Sequence, residues 1–252
     1  MNNYKTKSEQ KILKYIKDFE NIFTNKDLDK LISNHNMINK TLSSLEDKNI
    51  ILRLKKGKYI LSEKFYSNPH YFAAILNQGM IGFISALKIH GLIDYEPHKI
   101  YVICYKSKKR KIGNFEIIYI NLKQKTGLTY INKIPCTDIE KTIVDSLFKP
   151  EYSGGFSVIA KAIYQAEINW NKLFEYLERY NKNSLYQKLG YILTLLKDNT
   201  DKKIPKSSLK KLKSNIKNNL RLIPNKDLEY EYDSEWKIMD NLGKENILGG
   251  IT

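Results

Sequence analysis

Apolar residues recur at helical spacing at Ile12, Ile16 and Phe19, and again at Leu28, Leu31 and Ile32 after a Phe23-Thr24 break suited to capping a second, shorter helix. A third helix is expected from Asn34, with Ile38, Leu42 and Leu45 as its apolar stripe. Past Lys48-Asn49 the period changes from about 3.6 to 2. Ile50-Ile51-Leu52-Arg53-Leu54 then reads as a strand, Lys55-Lys56-Gly57 as a turn and Lys58-Tyr59-Ile60-Leu61 as the return strand.

Three helices followed by a hairpin is the layout of a winged helix, whose third helix enters a major groove. With Ile38, Leu42 and Leu45 turned inward, Asn36, Asn39, Lys40 and Ser43 face outward. Asn pairs bidentately with adenine and Lys reaches guanine, so these four are the expected base readers. Arg53, Lys55, Lys56 and Lys58 would lie along phosphates. The alternative is a winged helix used only for protein contacts.

Ser67-Asn68-Pro69-His70 breaks the pattern just after the hairpin, which divides the chain into domains 1–64 and 65–252. Beyond it the expected elements are a helix through Tyr71, Phe72, Ala74 and Ile75, and a second from Ile81 to His90 ended by Gly91. Strands are expected over 99–105, 114–121 and 130–134. Thr137 or Asp138 then caps a helix over 139–148, and helices follow over 156–166, 170–180 and 184–196. Strand-like pieces close the chain around Tyr230-Glu231-Tyr232 and Trp236-Lys237-Ile238-Met239. The expected class is α/β (α+β): an N-terminal winged helix-turn-helix and a helix-rich mixed C-terminal domain.

A formal net charge of +16 over 252 residues changes the functional picture, since basic surfaces bind polyphosphate by releasing its counterions. The charge gathers in the hairpin and in two further clusters. Residues 106–111 carry Lys106, Lys108, Lys109, Arg110 and Lys111, in a connection between two expected strands. Residues 202–221 carry Lys206, Lys210, Lys213 and Lys217 around a Leu209, Leu212, Ile216 stripe. Both lie outside the DNA-reading unit. They form either a second basic surface for RNA or a nucleotide, or simply solvated lysine. No apolar run is long enough to span a bilayer, and the first residues lack the apolar core of a signal peptide. Cys104 and Cys136 sit in apolar surroundings and read as buried thiols, as suits a reducing cytoplasm.

Enzyme signatures are sparse. The chain has no Gly-Ser pair of the nucleotidyltransferase kind, no Gly-x-Ser-x-Gly, and no Gly five positions before Gly57-Lys58 or Gly243-Lys244. His35, His70, His90 and His98 are scattered and there is no Cys-x-x-Cys, so neither metal nor cofactor is expected. His90, at a helix end, reads as a structural histidine. One pattern survives: Asp233, Glu235 and Lys237 resemble the acidic pair and Glu-x-Lys of metal-dependent nucleases. That alternative competes with Trp236 as a core residue.

Six segments in order resemble the AbiEi-type antitoxin regulators of type IV abortive-infection toxin–antitoxin systems. They are Leu52-Arg53-Leu54-Lys55-Lys56-Gly57-Lys58-Tyr59; the Ser85-Ala86-Leu87 and His90-Gly91-Leu92 helix; Lys141-Thr142-Ile143-Val144-Asp145; Gly154-Gly155; Lys188-Leu189-Gly190-Tyr191; and Leu222-Ile223-Pro224 with Trp236-Lys237. Lys141 and Lys188 stand where the family has Arg, and Lys cannot supply a planar bidentate fork. The resemblance implies an autorepressor that binds double-stranded operator DNA. It also implies an antitoxin, not an enzyme, that counters a nucleotidyltransferase toxin without a stable complex.

Overall fold

The computed structural model describes residues 4–17, 22–224 and 229–251. Thr6 opens helix α1 (Lys7–Ile16): its hydroxyl accepts from the Glu9 amide while the Glu9 carboxylate accepts from the Thr6 amide. Phe19, expected to extend the α1 stripe, lies outside the described residues. Strand β1 (Phe23–Thr24) leads into α2 (Asn25–Leu28), where Thr24 and Asp27 repeat the reciprocal cap. The second helix is shorter than expected. It stops at Leu28, whose carbonyl accepts from both the Leu31 and Ile32 amides, and this turn still delivers Ile32 to the core. Asn34 caps α3 (His35–Asp47), and strands β2 (Ile51–Lys55) and β3 (Lys58–Leu61) form the hairpin, in a sheet ordered β1-β3-β2.

The hairpin's alternating residues serve two cores. Ile51, Tyr59 and Leu61 pack with Ile12, Ile16, Phe23, Leu28, Ile38, Leu42 and Leu45. Leu52, Leu54 and Ile60 face the other way, into a core shared with Phe65, Phe72, Val102, Ile117 and Tyr119. The expected boundary between residues 64 and 65 falls inside helix α4 (Ser62–Ser67), and apolar packing continues across it.

Asn68 caps the next helix, α5 (Pro69–Ile75), through its side chain, with Pro69 at the first helical position. Met80 and Ile81, the latter expected on a helix, form strand β4 (Met80–Ile81) ahead of α6 (Phe83–Ile89). Glycine permits this: a Cβ at Gly79 would lie 2.6 Å from the Val102 side chain, so only glycine lets the chain run that close to the neighbouring strand. The sheet is completed by β5 (Lys99–Cys104), β6 (Lys108–Ile112), β7 (Phe115–Asn121), β8 (Leu128–Ile131) and β9 (Ile134–Thr137), in the order β6-β7-β5-β4-β9-β8.

Two expectations fail here. The basic connection over 106–111 is largely strand β6, paired antiparallel with β7 at the sheet edge, where alternate lysines reach solvent. The single strand expected over 130–134 is a hairpin. Asn132 and Lys133 take left-handed φ values of 48° and 67°, as a two-residue turn between twisted strands requires.

Asp138 caps α7 (Ile139–Phe148), and a 3-10 turn (Pro150–Tyr152) precedes α8 (Phe156–Gln165), α9 (Trp170–Tyr180) and α10 (Asn183–Asn199). Helix α11 (Lys206–Lys213) ends earlier than its stripe suggests. The Ser214 hydroxyl and the Asn215 amide both turn back to the Lys211 carbonyl, which leaves Ile216 and Lys217 beyond the helix. Strands β10 (Leu220–Arg221), β11 (Glu231–Asp233) and β12 (Ile238–Asp240) form a third small sheet, followed by α12 (Lys244–Leu248). The architecture is mixed α/β of the α+β kind, with helices in the majority. Among the described residues no helix is long and apolar enough to cross a membrane.

Candidate nucleic-acid interface

Helix α3 is fixed at both ends. At its start the Asn34 side chain accepts from the Asn36 and Met37 amides at 2.9 and 3.2 Å. Near its end Ser44 and Lys48 donate to the Glu9 carboxylate at 2.8 and 2.7 Å, which ties α3 to the first turn of α1. Burial opposes ionisation of Glu9. Hydrogen bonds from Lys48, Ser44 and Thr6, with the Lys48 charge, outweigh it and hold the carboxyl at about 2. Glu9 was not singled out from sequence, although Thr6-x-x-Glu9 is a legible capping box.

With Ile38, Leu42 and Leu45 buried, Asn36, Asn39, Lys40 and Ser43 are all exposed, as expected. Asn39 is also oriented: its Oδ1 accepts from Asn25 Nδ2 at 2.7 Å, which leaves its own amide protons for another partner. Met37, 44% exposed near the start of the same helix, is an apolar group the sequence reading missed. Such a group suits a thymine methyl.

The hairpin tip carries Lys56 and Gly57 as its turn, with Lys55 directly opposite Lys58. Like charges facing each other across a ladder are unfavourable until an anion sits between them. Arg53 is exposed on the strand, and among the described residues the side chains of Arg53, Lys55, Lys56 and Lys58 have no hydrogen-bond or ion-pair partner.

Strand β6 lies against this hairpin. Arg110 Nη1 donates to the Leu54 carbonyl, and Lys108 Nζ donates to Asn77 Oδ1 while sitting 5.0 Å over the Tyr119 ring. Burial, then the Arg110 charge and more weakly that of Lys55, hold the Lys108 amine below its usual range. Lys109 and Lys111 alternate with Lys108 and Arg110 along the strand and line a cavity of about 510 Å³ with Arg110, His98, Lys99, Asn114 and Glu116. Lys106, just before the strand, is exposed.

The expected second basic surface is therefore two unrelated ones. Arg110 joins the hairpin at Leu54, whereas α11 packs on α10 through Leu212, in a different core. Lys206 and Lys210 are exposed there, Lys213 pairs with Glu235 at 3.3 Å, and Lys217 accepts at its carbonyl from Lys237 Nζ at 3.2 Å.

Asp233, Glu235 and Lys237 do not converge as a metal cradle. The Asp233 carboxylate caps the Trp236 amide at 2.8 Å, Glu235 is exposed on its ion pair, and Lys237 sits at φ 50° in the turn between β11 and β12. Among the described residues no group of three or more His, Cys, Asp or Glu side chains could hold a metal ion.

The other motif residues are packed inside. Lys141 and Asp145 form a fully buried ion pair, joined by the Tyr180 hydroxyl, yet Asp145 Oδ2 has no hydrogen-bond partner. Burial raises the Asp145 carboxyl despite these partners. Lys188 donates to the Leu147 carbonyl at 3.2 Å. Trp236 lies against Gly190 with its indole N–H on the Thr194 hydroxyl at 2.9 Å. His90 Nε2 is 2.7 Å from the Thr137 carbonyl, in the structural role expected for it. Cys104 and Cys136 are buried free thiols, and burial pushes Cys136 up to about 11.

No protein-family model and no curated protein matches the chain. Among solved structures the chain is similar to the RV2827C protein from Mycobacterium tuberculosis. The TM-score is 0.68 at 14% identity, over 95% of this chain and 93% of that one. At that identity the likeness concerns the fold alone.

Proposed function

We propose that the N-terminal three helices and hairpin are a winged helix-turn-helix, and that the chain is a transcriptional regulator that grips double-stranded operator DNA. In this reading α3 enters the major groove with Asn36, Asn39, Lys40 and Ser43 toward the base edges. The hairpin lysines and β6 then follow the flanking phosphates. The observation that carries the reading is the pairing of an exposed polar face on α3 with a rigidly seated, unneutralised basic hairpin. Lys55 held opposite Lys58 favours an anionic partner such as a phosphate backbone over an apolar protein contact.

The resemblance to AbiEi-type regulators extends the proposal: the protein works in the cytoplasm as autorepressor and antitoxin of a type IV system, against a nucleotidyltransferase toxin. The test has two arms. Purified protein should retard the DNA upstream of its own reading frame at salt concentrations where random DNA of equal length is released. Co-expression should restore growth to cells making the adjacent toxin. Equal retention of both DNAs removes the regulator, and a failure to restore growth removes the antitoxin.

A further inference from the structure

The two edges of the six-stranded sheet differ in kind. Edge β6 reads Lys-Lys-Arg-Lys-Ile, the sort of charged strand that keeps other chains from pairing with it. Edge β8 reads Leu-Thr-Tyr-Ile, with Leu128 53% and Tyr130 65% exposed on one side. In a two-residue hairpin the flanking pair, Ile131 and Ile134, is hydrogen-bonded, and so in alternation is Thr129 with Cys136. Pro135, which has no N–H, stands opposite Tyr130, as that phase requires. The N–H and C=O groups of Leu128 and Tyr130 therefore point away from the sheet, and among the described residues nothing bonds to them.

Beside this edge lies a cavity of about 180 Å³ lined by Gln78, Gly79, Met80, Tyr105, Lys125 and Leu128. Its volume suits one aliphatic side chain. Tyr105 is 70% exposed, with Lys125 Nζ 5.0 Å over its ring. Residues 121–134 hold three lysines, Lys123, Lys125 and Lys133, and no acidic residue.

We infer that β8 is a docking edge for an extended, acidic segment of a partner protein. The segment adds a seventh strand through the main chain of Leu128 and Tyr130, drops an aliphatic side chain into the cavity, and sets carboxylates against Lys123, Lys125 and Lys133. Charge disfavours a second copy of this chain: the antiparallel register that uses Leu128 and Tyr130 of both copies brings Lys125 opposite Lys133. Single-stranded nucleic acid would also meet lysine and tyrosine here, but stacked bases make no use of outward amides spaced at the strand repeat.

The probe is a fluorescein-labelled nonapeptide of alternating glutamate and valine, with a lysine–valine counterpart, added to the full chain. Expected results are saturable anisotropy with the acidic peptide alone and slowed exchange of the Leu128 and Tyr130 amides. Tyr130→Pro removes an outward N–H without touching the β8–β9 ladder, so it should weaken peptide binding at least tenfold while DNA binding stays at its parental level. Should that variant misfold, Lys125→Glu with Lys133→Glu should switch preference to the lysine–valine peptide. The inference is overturned if the acidic peptide leaves both amides unprotected at millimolar concentration, or if both peptides bind alike. It also fails if sedimentation finds a dimer through this edge, or if oligothymidylate and not the peptide protects these amides. Because DNA binding is read in the same samples, none of these outcomes depends on the regulator proposal.

Discussion

Arg110 donates a hydrogen bond to the Leu54 carbonyl, so a guanidinium on the edge of the large sheet is fastened to the hairpin strand that precedes it by more than fifty residues. Leu52, Leu54 and Ile60 seat the same hairpin in the sheet core. The lysines at the tip are thus presented by a fixed scaffold and not by a swinging loop.

Charge at the tip should act on all DNA equally. Replacing Lys55, Lys56 and Lys58 together with alanine is expected to weaken operator and random DNA alike. It should reduce the slope of log K against log salt by about 2–3, the loss of three phosphate contacts. Anisotropy titrations over a salt series measure this, and an unchanged slope would place the hairpin away from the backbone.

Base readout should reside on α3. Asn39→Ala is expected to cost about 1–3 kcal/mol on the operator and little on random DNA. Asn25→Ala, which only frees the Asn39 amide from its 2.7 Å hydrogen bond, should lose discrimination by a smaller factor. Equal losses on both DNAs would mean that this face reads no bases.

The Gly190–Trp236 contact leaves no room for a side chain. A Cβ at Gly190 would lie 1.9 Å from Trp236 Cζ3, so Gly190→Ala should destabilise the chain by about 1–3 kcal/mol or more through overpacking. Thermal unfolding should show a lowered midpoint, with partial recovery when Trp236→Leu is added. A variant as stable as its parent would contradict this packing.

Acid should loosen the seat of α3. The Glu9 carboxyl is held at about 2, below its ordinary 4.5, so its ionised form stabilises the fold. That contribution is complete above about pH 4.5 and fades as pH falls toward 2. Glu9→Gln should remove this part of the pH dependence and leave a less stable protein at neutral pH. Denaturant titrations from pH 7 downward compare the two, and parallel curves would show that Glu9 is not the group responsible.

Deleting residues 1–65 should not yield a well-behaved C-terminal domain. The deletion strips Leu52, Leu54 and Ile60 from a core that includes Phe72, Val102 and Tyr119, and so uncovers apolar surface. Expected results are a lowered unfolding midpoint and self-association by light scattering. A monomer with parental stability would support a domain boundary at residue 64.

Local chemistry made much of this legible. The start of α3 at Asn34, the α7 cap at Asp138 (one of the two candidates) and the apolar stripe of α3 involve neighbours within a few residues, and all stand where the sequence puts them. What escaped was long-range. Nothing near Lys108 or Arg110 announces that they will meet Asn77 and Leu54, so a strand seated on the hairpin read as a basic connection between strands. Leu52 and Leu54 fit a hairpin with one wet face as well as one with two dry faces, and only the sheet beyond residue 99 decides between them. The i, i+4 spacing of Lys141 and Asp145 is visible in the chain, whereas the Asp145 oxygen left without a donor is visible only in the packed cluster.

The hairpin's two dry faces also constrain how such a protein can change. Because side chains alternate along a strand, inserting one residue within β2 or β3 would turn that strand's apolar residues beyond the insertion toward the wrong core. A one-residue change in hairpin length is therefore costly, while at the tip Lys56 is exposed and replaceable and Gly57, at φ 69°, cannot take a side chain without strain. In the proposed DNA-binding role, adaptation to a new operator would fall on Lys56 and the outer face of α3, and the reach of the hairpin would change only in two-residue steps.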